Sequence, residues 1–115
     1  MINFDLPHIP ARPTAPRDTG LTMMMDKGLS WRQAENFVDE NAHLTDIVKL
    51  GFGTSYVSND LAKKIEIYKE ANIKTYLGGT LFEAFIARGM FDDYKKLLDK
   101  FKIETCEVSD GSIVM

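Results

Sequence analysis

The sequence predicts an α/β fold of the (β/α)8 TIM-barrel type, of which these 115 residues would supply about the first four βα units. Short apolar runs recur with centres near residues 23, 48, 75 and 106. The period of about 25 to 30 residues is the length that one strand and one returning helix need. Each run ends in a cluster of polar residues and glycines, and a helical pattern follows the first three.

An open parallel sheet with helices on both faces is the alternative architecture. Such a sheet usually carries a glycine-rich phosphate loop at its first strand-to-helix turn. Here that turn is Asp26-Lys27-Gly28-Leu29-Ser30, which matches neither GxGxxG nor GxxxxGK[ST]. The barrel is therefore favoured, and in a barrel the carboxyl ends of all strands meet at one face.

The boundaries of the elements follow from apolar periodicity and capping residues. We expect strands at 21–25, 47–50, 73–77 and 105–108. Ser30 is expected to cap the helix after the first strand, and Ser58 or Asn59 the helix after the second. Thr80 is expected to open the helix after the third strand, with Glu83 as the carboxylate of a capping box.

Residues 1–18 are predicted to form an extended proline-rich arm, and residues 19–115 the partial barrel domain. All four prolines lie in the arm, at Pro7, Pro10, Pro13 and Pro16, and a spacing of three matches the turn of a polyproline II helix. The arm either docks into the aromatic groove of a partner, or it lies over the domain or stays disordered. The second interpretation is favoured.

Charge and composition limit the classes of partner. The net charge of −3, the pI near 5.3 and the lack of a basic run argue against nucleic acid. No apolar stretch approaches the roughly 18 residues of a membrane span. The single Cys106 and the absence of a signal-peptide pattern indicate the cytoplasm. A half-barrel would expose the edges of its outer strands, so we expect a homo-oligomer.

Lys49 is the strongest single indication of a site. It lies between Val48 and Leu50 in an otherwise apolar strand, where burying an amine is costly without an anion. At a strand end near the barrel mouth, a lysine can bind phosphate or carboxylate, or act as an acid if its pKa is depressed. Asp26 and Lys27 end the first strand, where a surface ion pair is the plain alternative.

Glycines and hydroxyls follow the second and third strands. Gly51 and Gly53 allow close approach to a ligand, and Thr54 and Ser55 add donors. The Gly78-Gly79-Thr80 turn would present free N–H groups and the positive end of a helix dipole to an anion. A tight turn with a threonine cap explains the same three residues equally well.

Hard oxygen ligands complete the set of candidates. Glu107 and Ser109 share one side of the fourth strand, and Asp110 ends it. Together with Asp26 they offer the carboxylates that Mg²⁺ takes while it keeps several waters. Because histidines and cysteines do not cluster with them, zinc and iron are disfavoured.

At these positions the chain resembles the phosphosulfolactate synthase family, which also includes plant-type heat-stress-associated relatives. The resemblance extends over about residues 16–112. The matching segments are Gly20-Leu21-Thr22 with Asp26-Lys27-Gly28, then 49–55, Gly78-Gly79-Thr80-Leu81-Phe82-Glu83 and 107–112. Four ordered motifs at compatible spacing are far more specific than any one of them.

The resemblance implies a (β/α)8 barrel and a Mg²⁺-dependent addition of sulfite to phosphoenolpyruvate that gives phosphosulfolactate. The candidate catalytic residues are Lys49, Asp26 and Glu107, and the candidate metal ligands are Glu107 and Asp110. Candidate substrate-binding residues are Lys27, Thr54, Ser55, Gly78, Gly79, Thr80 and Ser109. Glu107 thus stands in two roles.

The resemblance also implies that about half of the enzyme is not represented here. Members of the family are about twice as long, and their general acid, thought to be a lysine, lies beyond the fourth strand. We therefore expect this chain to be the N-terminal half of such an enzyme and inactive alone. The alternatives are a non-catalytic stress-related or interaction protein that retains the motifs, and a half-barrel that dimerises.

Overall fold

The structure is a computed structural model that describes residues 2–112, so residues 113–115 of the predicted domain lie outside it. Its centre is a parallel sheet in the order β1-β2-β3, with β1 at Met23–Asp26, β2 at Ile47–Leu50 and β3 at Lys74–Leu77. Asp26 lies opposite Leu50, which lies opposite Leu77. The three strands therefore end together at one edge of the sheet, which we call the carboxyl edge.

Helices connect and follow the strands. They are α1 at Trp31–Asn41, α2 at Thr54–Val57, α3 at Leu61–Glu70, α4 at Gly79–Ala87 and α5 at Phe91–Lys100, with a 3-10 turn at Ala42–Leu44. Across residues 2–112, no helix combines the length and apolar character that a membrane crossing requires.

Helices α1, α3, α4 and α5 pack on one face of the sheet. Alternate strand residues, Val48, Leu50 and Leu77, are at most 1% exposed and form the core with Ala34 of α1 and Tyr68 of α3. Parts of α4 and α5 pack against the same core. The opposite face, which we call the open face, carries the intervening strand residues; these are Met23, Met25, Ile47, Lys49, Lys74 and Tyr76, all half-buried or exposed.

Several predicted elements are confirmed. The second strand has the expected bounds, and the third begins one residue later than expected, because the Ile73 N–H closes the end of α3 at the Tyr68 carbonyl. Ser30 caps α1 in a reciprocal capping box with Gln33. The first strand covers 23–26 and not 21–25, since its pairing with β2 begins at Met23.

The region between β2 and α3 differs from the prediction. Residues 54–57 form the short helix α2, which ends where the Ser58 hydroxyl and N–H both bond the Thr54 carbonyl. Ser58 is therefore committed to α2, and neither it nor Asn59 caps α3. The N-cap is Asp60, whose left-handed backbone (φ 53°) gives it no side-chain cap bond. The prediction of a Ser58 or Asn59 cap was wrong.

The predicted fourth strand at 105–108 is also wrong within the described residues. Exposure does alternate, with Cys106 and Val108 outside and Thr105 and Glu107 half-buried. However, a strand requires a backbone ladder. This segment contacts β2 and α4 through the Glu107 side chain, and no ladder joins it to β3.

At the amino end of the sheet, an ion pair fastens the N-terminal arm. The Arg17 guanidinium lies 2.7 Å from the Asp46 carboxylate, which also accepts the backbone N–H groups of Arg17 and Thr22. Both side chains are at most 5% exposed. The arm is otherwise exposed and without regular structure over residues 2–14. Arg17 therefore fixes the point at which the arm joins the sheet.

This ion pair predicts how stability depends on pH. The hydrogen bonds from Arg17 outweigh burial and lower the pKa of Asp46 to about 2. A lowered pKa stabilises the fold above the unfolded pKa of about 3.9, and that contribution is lost as the pH falls towards 2. We expect the gap in urea midpoint between the parent and Asp46→Asn to shrink between pH 4 and pH 2. A constant gap would contradict the pairing.

Candidate functional site

A cavity of about 410 Å³ opens at the carboxyl edge of the sheet. It is lined by Met25, Lys27, Lys49, Gly51, Phe52, Thr54, Gly78, Gly79 and Thr80. A second cavity of about 650 Å³, between the loops after β1 and β2, shares Lys27, Phe52 and Thr54 with it. The structure thus brings most predicted substrate-binding residues together. Ser55 and Ser109 are the exceptions among these predicted residues, because neither lines one of the two cavities.

Lys49 projects from β2 on the open face and supplies the central positive charge. Its Nζ lies 3.1 Å from Oε2 and 3.4 Å from Oε1 of Glu107. The Lys49 side chain is 20% exposed and that of Glu107 is 35% exposed, so water and small anions can reach the pair. The anion predicted beside Lys49 is thus a carboxylate of this chain.

The start of α4 forms the second half of this carboxylate site. The backbone N–H of Gly79 donates to Glu107 Oε1 over 3.2 Å, and Gly78, the N-cap residue, offers no side chain. A Cβ on Gly79 would overlap the Glu107 carboxylate and the Ser109 hydroxyl. Gly79 therefore lets a carboxylate reach the helix N-terminus, where the dipole favours negative charge.

Glu83 does not form the predicted capping box with Thr80, and that prediction was wrong. The helix begins at Gly79, one residue earlier than expected, and its N-cap is a glycine. The Glu83 carboxylate, in a residue 3% exposed, accepts the hydroxyls of Ser109 and Ser112 and the backbone N–H of Ser112. These bonds, those from Ser109 first, lower the pKa of Glu83 against the effect of burial. Glu83 thus fastens segment 107–112 to α4.

Asp26 lies on the helix-covered face, away from Lys49. Its carboxylate, in a residue 0% exposed, accepts the N–H groups of Gly28 (2.9 Å) and Leu29 (2.8 Å) and the Tyr68 hydroxyl (2.8 Å). Lys64 Nζ lies 3.1 Å away. Burial would raise the pKa of Asp26, but these four groups together lower it. The carboxylate is ionised and fully engaged, and the structure does not bring it to the cavity.

Lys64 and Tyr68 are functional candidates that the sequence reasoning missed. Both are at most 1% exposed, and burial is the main cause of the raised pKa of Tyr68. The sequence does carry a signal for Lys64 in its spacing. Lys64 follows Leu61 by three residues and precedes Tyr68 by four, which places a lysine on the apolar face of the helix.

The candidate magnesium ligands among the described residues are the carboxylates of Glu107 and Asp110. No group of three or more histidine, cysteine, aspartate or glutamate side chains is placed to hold a metal within residues 2–112. Glu107 is half-buried and paired with Lys49, and Asp110 is exposed. Mg²⁺ is often held by one or two carboxylates, with waters and substrate oxygens as its other ligands. Glu107 and Asp110 carry the type of oxygen donor that such a site uses, and in this structure Glu107 is engaged by Lys49.

Known proteins match nearly the whole chain. A family model described as (2R)-phospho-3-sulfolactate synthase (ComA) matches residues 10–115. The phosphosulfolactate synthase of Methanocaldococcus jannaschii is 43% identical over 95 residues, which are 81% of this chain and 38% of that protein. The phosphosulfolactate synthase of Bacillus subtilis is 32% identical over 115 residues, which are 100% of this chain and 45% of that protein.

A third relative gives the same result. The phosphosulfolactate synthase of Methanothermobacter thermautotrophicus is 29% identical over 106 residues, 90% of this chain and 41% of its own length. The chain therefore spans about two fifths of the curated relatives it matches. Since the family model covers residues 10–115, including every residue of the carboxyl-edge cavity, the chain belongs to the (2R)-phospho-3-sulfolactate synthase family.

Proposed function

We propose that this chain forms part of a phosphosulfolactate synthase that adds sulfite to phosphoenolpyruvate in a Mg²⁺-dependent reaction, giving (2R)-phospho-3-sulfolactate. The observation that carries the proposal is the carboxylate site, in which the Lys49 ammonium and the Gly79 N–H converge on one carboxylate at the carboxyl edge. Both proposed substrates are small anions, and phosphoenolpyruvate carries a carboxylate. Family membership supports the same reaction.

The addition of sulfite to phosphoenolpyruvate requires the protein to stabilise negative charge, and it requires no covalent bond between protein and substrate. The sulfite sulfur forms a bond to the methylene carbon of phosphoenolpyruvate, and the electron pair of the double bond moves towards the adjacent carbon and its carboxylate. A proton then adds to that carbon. Lys49 and the Gly79 N–H hold Glu107 in this structure, and the substrate carboxylate would take the place of Glu107. The two donors would then stabilise that carboxylate as its charge grows, because preorganised donors stabilise developing charge efficiently.

The other cavity residues would bind and orient the substrates. Lys27 borders both cavities and is suited to the phosphate group, with Thr54 and Thr80 as neighbouring hydroxyl donors. Glu107 and Asp110 would hold Mg²⁺, which when bound would offset charge on the substrate carboxylate. The proton donor is expected outside this chain, so we propose that the chain alone binds its ligands without turning them over.

The arrangement of the sheet supports a barrel architecture for the complete enzyme. The four longer helices pack on one face, whereas an open doubly wound sheet carries helices on both faces. The open face, with Lys49 at its carboxyl edge, would then line the barrel interior. We propose a cytoplasmic enzyme, in which the exposed Cys106 stays reduced. We also propose that the chain alone self-associates through its outer strands.

A chimaera tests the proposed reaction. The chain would be fused to the part of the Bacillus subtilis relative that lies beyond the region it matches, and supplied with phosphoenolpyruvate, sulfite and Mg²⁺. We expect ³¹P NMR to show loss of phosphoenolpyruvate and growth of one new phosphate ester only when sulfite is present. The unfused chain should give no product and serves as the control.

Two results would contradict the proposal. A folded chimaera that leaves phosphoenolpyruvate unchanged would favour a non-catalytic protein that retains the motifs for structure. Turnover by the unfused chain at the rate of the chimaera would overturn the expectation that the proton donor lies outside it. Circular dichroism and sedimentation of both proteins establish that they are folded and report their association.

A further inference from the structure

We propose that Asp26, Lys64 and Tyr68 are positioning residues, which hold the loop after β1 so that Lys27 faces the cavity at the carboxyl edge. The inference rests on the proposed function only in so far as Lys27 contacts substrate. It assigns to Asp26 an indirect role in place of the catalytic role expected from the sequence. It also assigns a role to two residues of α3 that no motif indicated.

The first step in the argument is that the loop turns back onto Asp26. The N–H groups of Gly28 and Leu29 both point at the Asp26 carboxylate, over 2.9 and 2.8 Å. Gly28 has a backbone φ of 128°, a value that side-chain-bearing residues rarely adopt. The Asp26 carbonyl is also occupied, since it accepts the Gly51 N–H over 2.8 Å. The chain is thus fixed on both sides of Lys27.

The second step is that side chains of α3 bond both this loop and Asp26. Lys64 Nζ donates to the Leu29 carbonyl over 2.9 Å while it pairs with Asp26. The Tyr68 hydroxyl, one helical turn further on, completes the shell of the same carboxylate. Lys64 therefore holds Asp26 and the Leu29 peptide together, and Tyr68 fixes the same carboxylate. The loop cannot shift unless these buried bonds break.

The third step is energetic. A buried charge pair is often no more stabilising than a well-packed apolar replacement, because both ions lose their hydration. An apolar core beneath the loop could therefore serve stability equally well, but it could not bond the Gly28 and Leu29 N–H groups. The bonds of the network end on the loop that carries Lys27. Lys27 itself borders both cavities and is exposed.

The test uses a pair of matched tyrosine variants. Tyr68→Phe removes a hydroxyl that bonds Asp26, and Tyr94→Phe removes an equally buried hydroxyl with no partner among the described residues. Both keep the ring and its packing. The first measurement is amide hydrogen exchange in the 115-residue chain. In Tyr68→Phe we expect exchange of the Gly28 and Leu29 amides to rise at least tenfold relative to core amides, with no such change in Tyr94→Phe.

The second measurement is the dissociation constant for phosphoenolpyruvate, determined calorimetrically in the parent and in a Lys27→Ala background. If the network acts through Lys27, Tyr68→Phe should weaken binding about tenfold in the parent and less than twofold once Lys27 is gone. A purely structural role would give equal effects in both backgrounds. Equal effects would overturn the proposal. A rise in amide hydrogen exchange in Tyr68→Phe that is uniform across loop and core would overturn it as well.

The two proposals fail in different ways. If the parent chain binds no phosphoenolpyruvate, the proposed ligand is wrong, and the exchange of the Gly28 and Leu29 amides alone decides the positioning role. If the parent binds but Tyr68→Phe leaves loop exchange and affinity unchanged, the ligand assignment stands and the positioning role is overturned.

Discussion

Replacement of Lys64 by methionine is expected to lower the free energy of unfolding by about 3 to 5 kcal/mol, the usual cost of leaving one member of a buried ion pair without its partner. Asp26 is 0% exposed, and Lys64 is the cation that lies beside it. Methionine keeps the length and the apolar stem of lysine but removes the charge. Because small domains are stable by only about 5 to 15 kcal/mol, this variant should be close to unfolding at 37 °C.

The matched control for this experiment is Lys69→Met. Lys69 lies on the same helix but is exposed, so its replacement should change stability by no more than about 0.5 kcal/mol. Urea unfolding followed by circular dichroism would compare both variants with the parent. Equal stability of the two methionine variants would show that the Asp26 charge is compensated without Lys64. The buried ion pair would then not be needed for the stability of the fold.

Lys49→Met should have the second large effect, this time on function. In the chimaera we expect kcat to fall by about 10² to 10³, the range seen when one donor to a developing anion is removed. The Lys49 side chain is 20% exposed and its pair with Glu107 is open to water, so we expect the fold to tolerate the change. The measurement is the initial rate of sulfite-dependent phosphoenolpyruvate loss beside an unfolding curve.

Lys74→Met controls for the loss of a positive charge from the open face. Lys74 shares that face with Lys49 but lies at the other end of the sheet, where β3 begins. It should leave the rate within about twofold of the parent. If both lysine variants lower the rate equally, the effect comes from net charge and the carboxylate site is not its cause.

Much of the fold could be predicted because its signals are local. The apolar run at 47–50 is closed by glycine and flanked by helical patterns, and β2 has those bounds. Ser30 and Gln33 form a capping box that needs no tertiary partner. The segment at 105–108 carries a similar local signal, but a strand needs a neighbour, and whether a ladder forms is decided elsewhere in the fold.

The site divides in the same way. Lys49 could be predicted because an amine among apolar neighbours implies an anion, and the Gly78-Gly79 pair because an anion needs free N–H groups. Alternation along β1 shows that Asp26 and Met25 face opposite ways, but not which one faces the helices. That choice is made by Tyr68, 42 residues along the chain, and by Lys64, so the role of Asp26 could not be predicted.

The three successive methionines of β1 have a practical consequence. Met23 and Met25 are 46% and 40% exposed on the open face, whereas Met24, between them, packs against the core. Mild peroxide treatment should therefore convert the outer two to sulfoxides and spare the middle one. Any chain that covers the open face would shield the sulfur atoms of Met23 and Met25 from peroxide. Mass spectrometry of the peptide that contains all three methionines would then report whether the open face is covered, with Met24 as the internal reference.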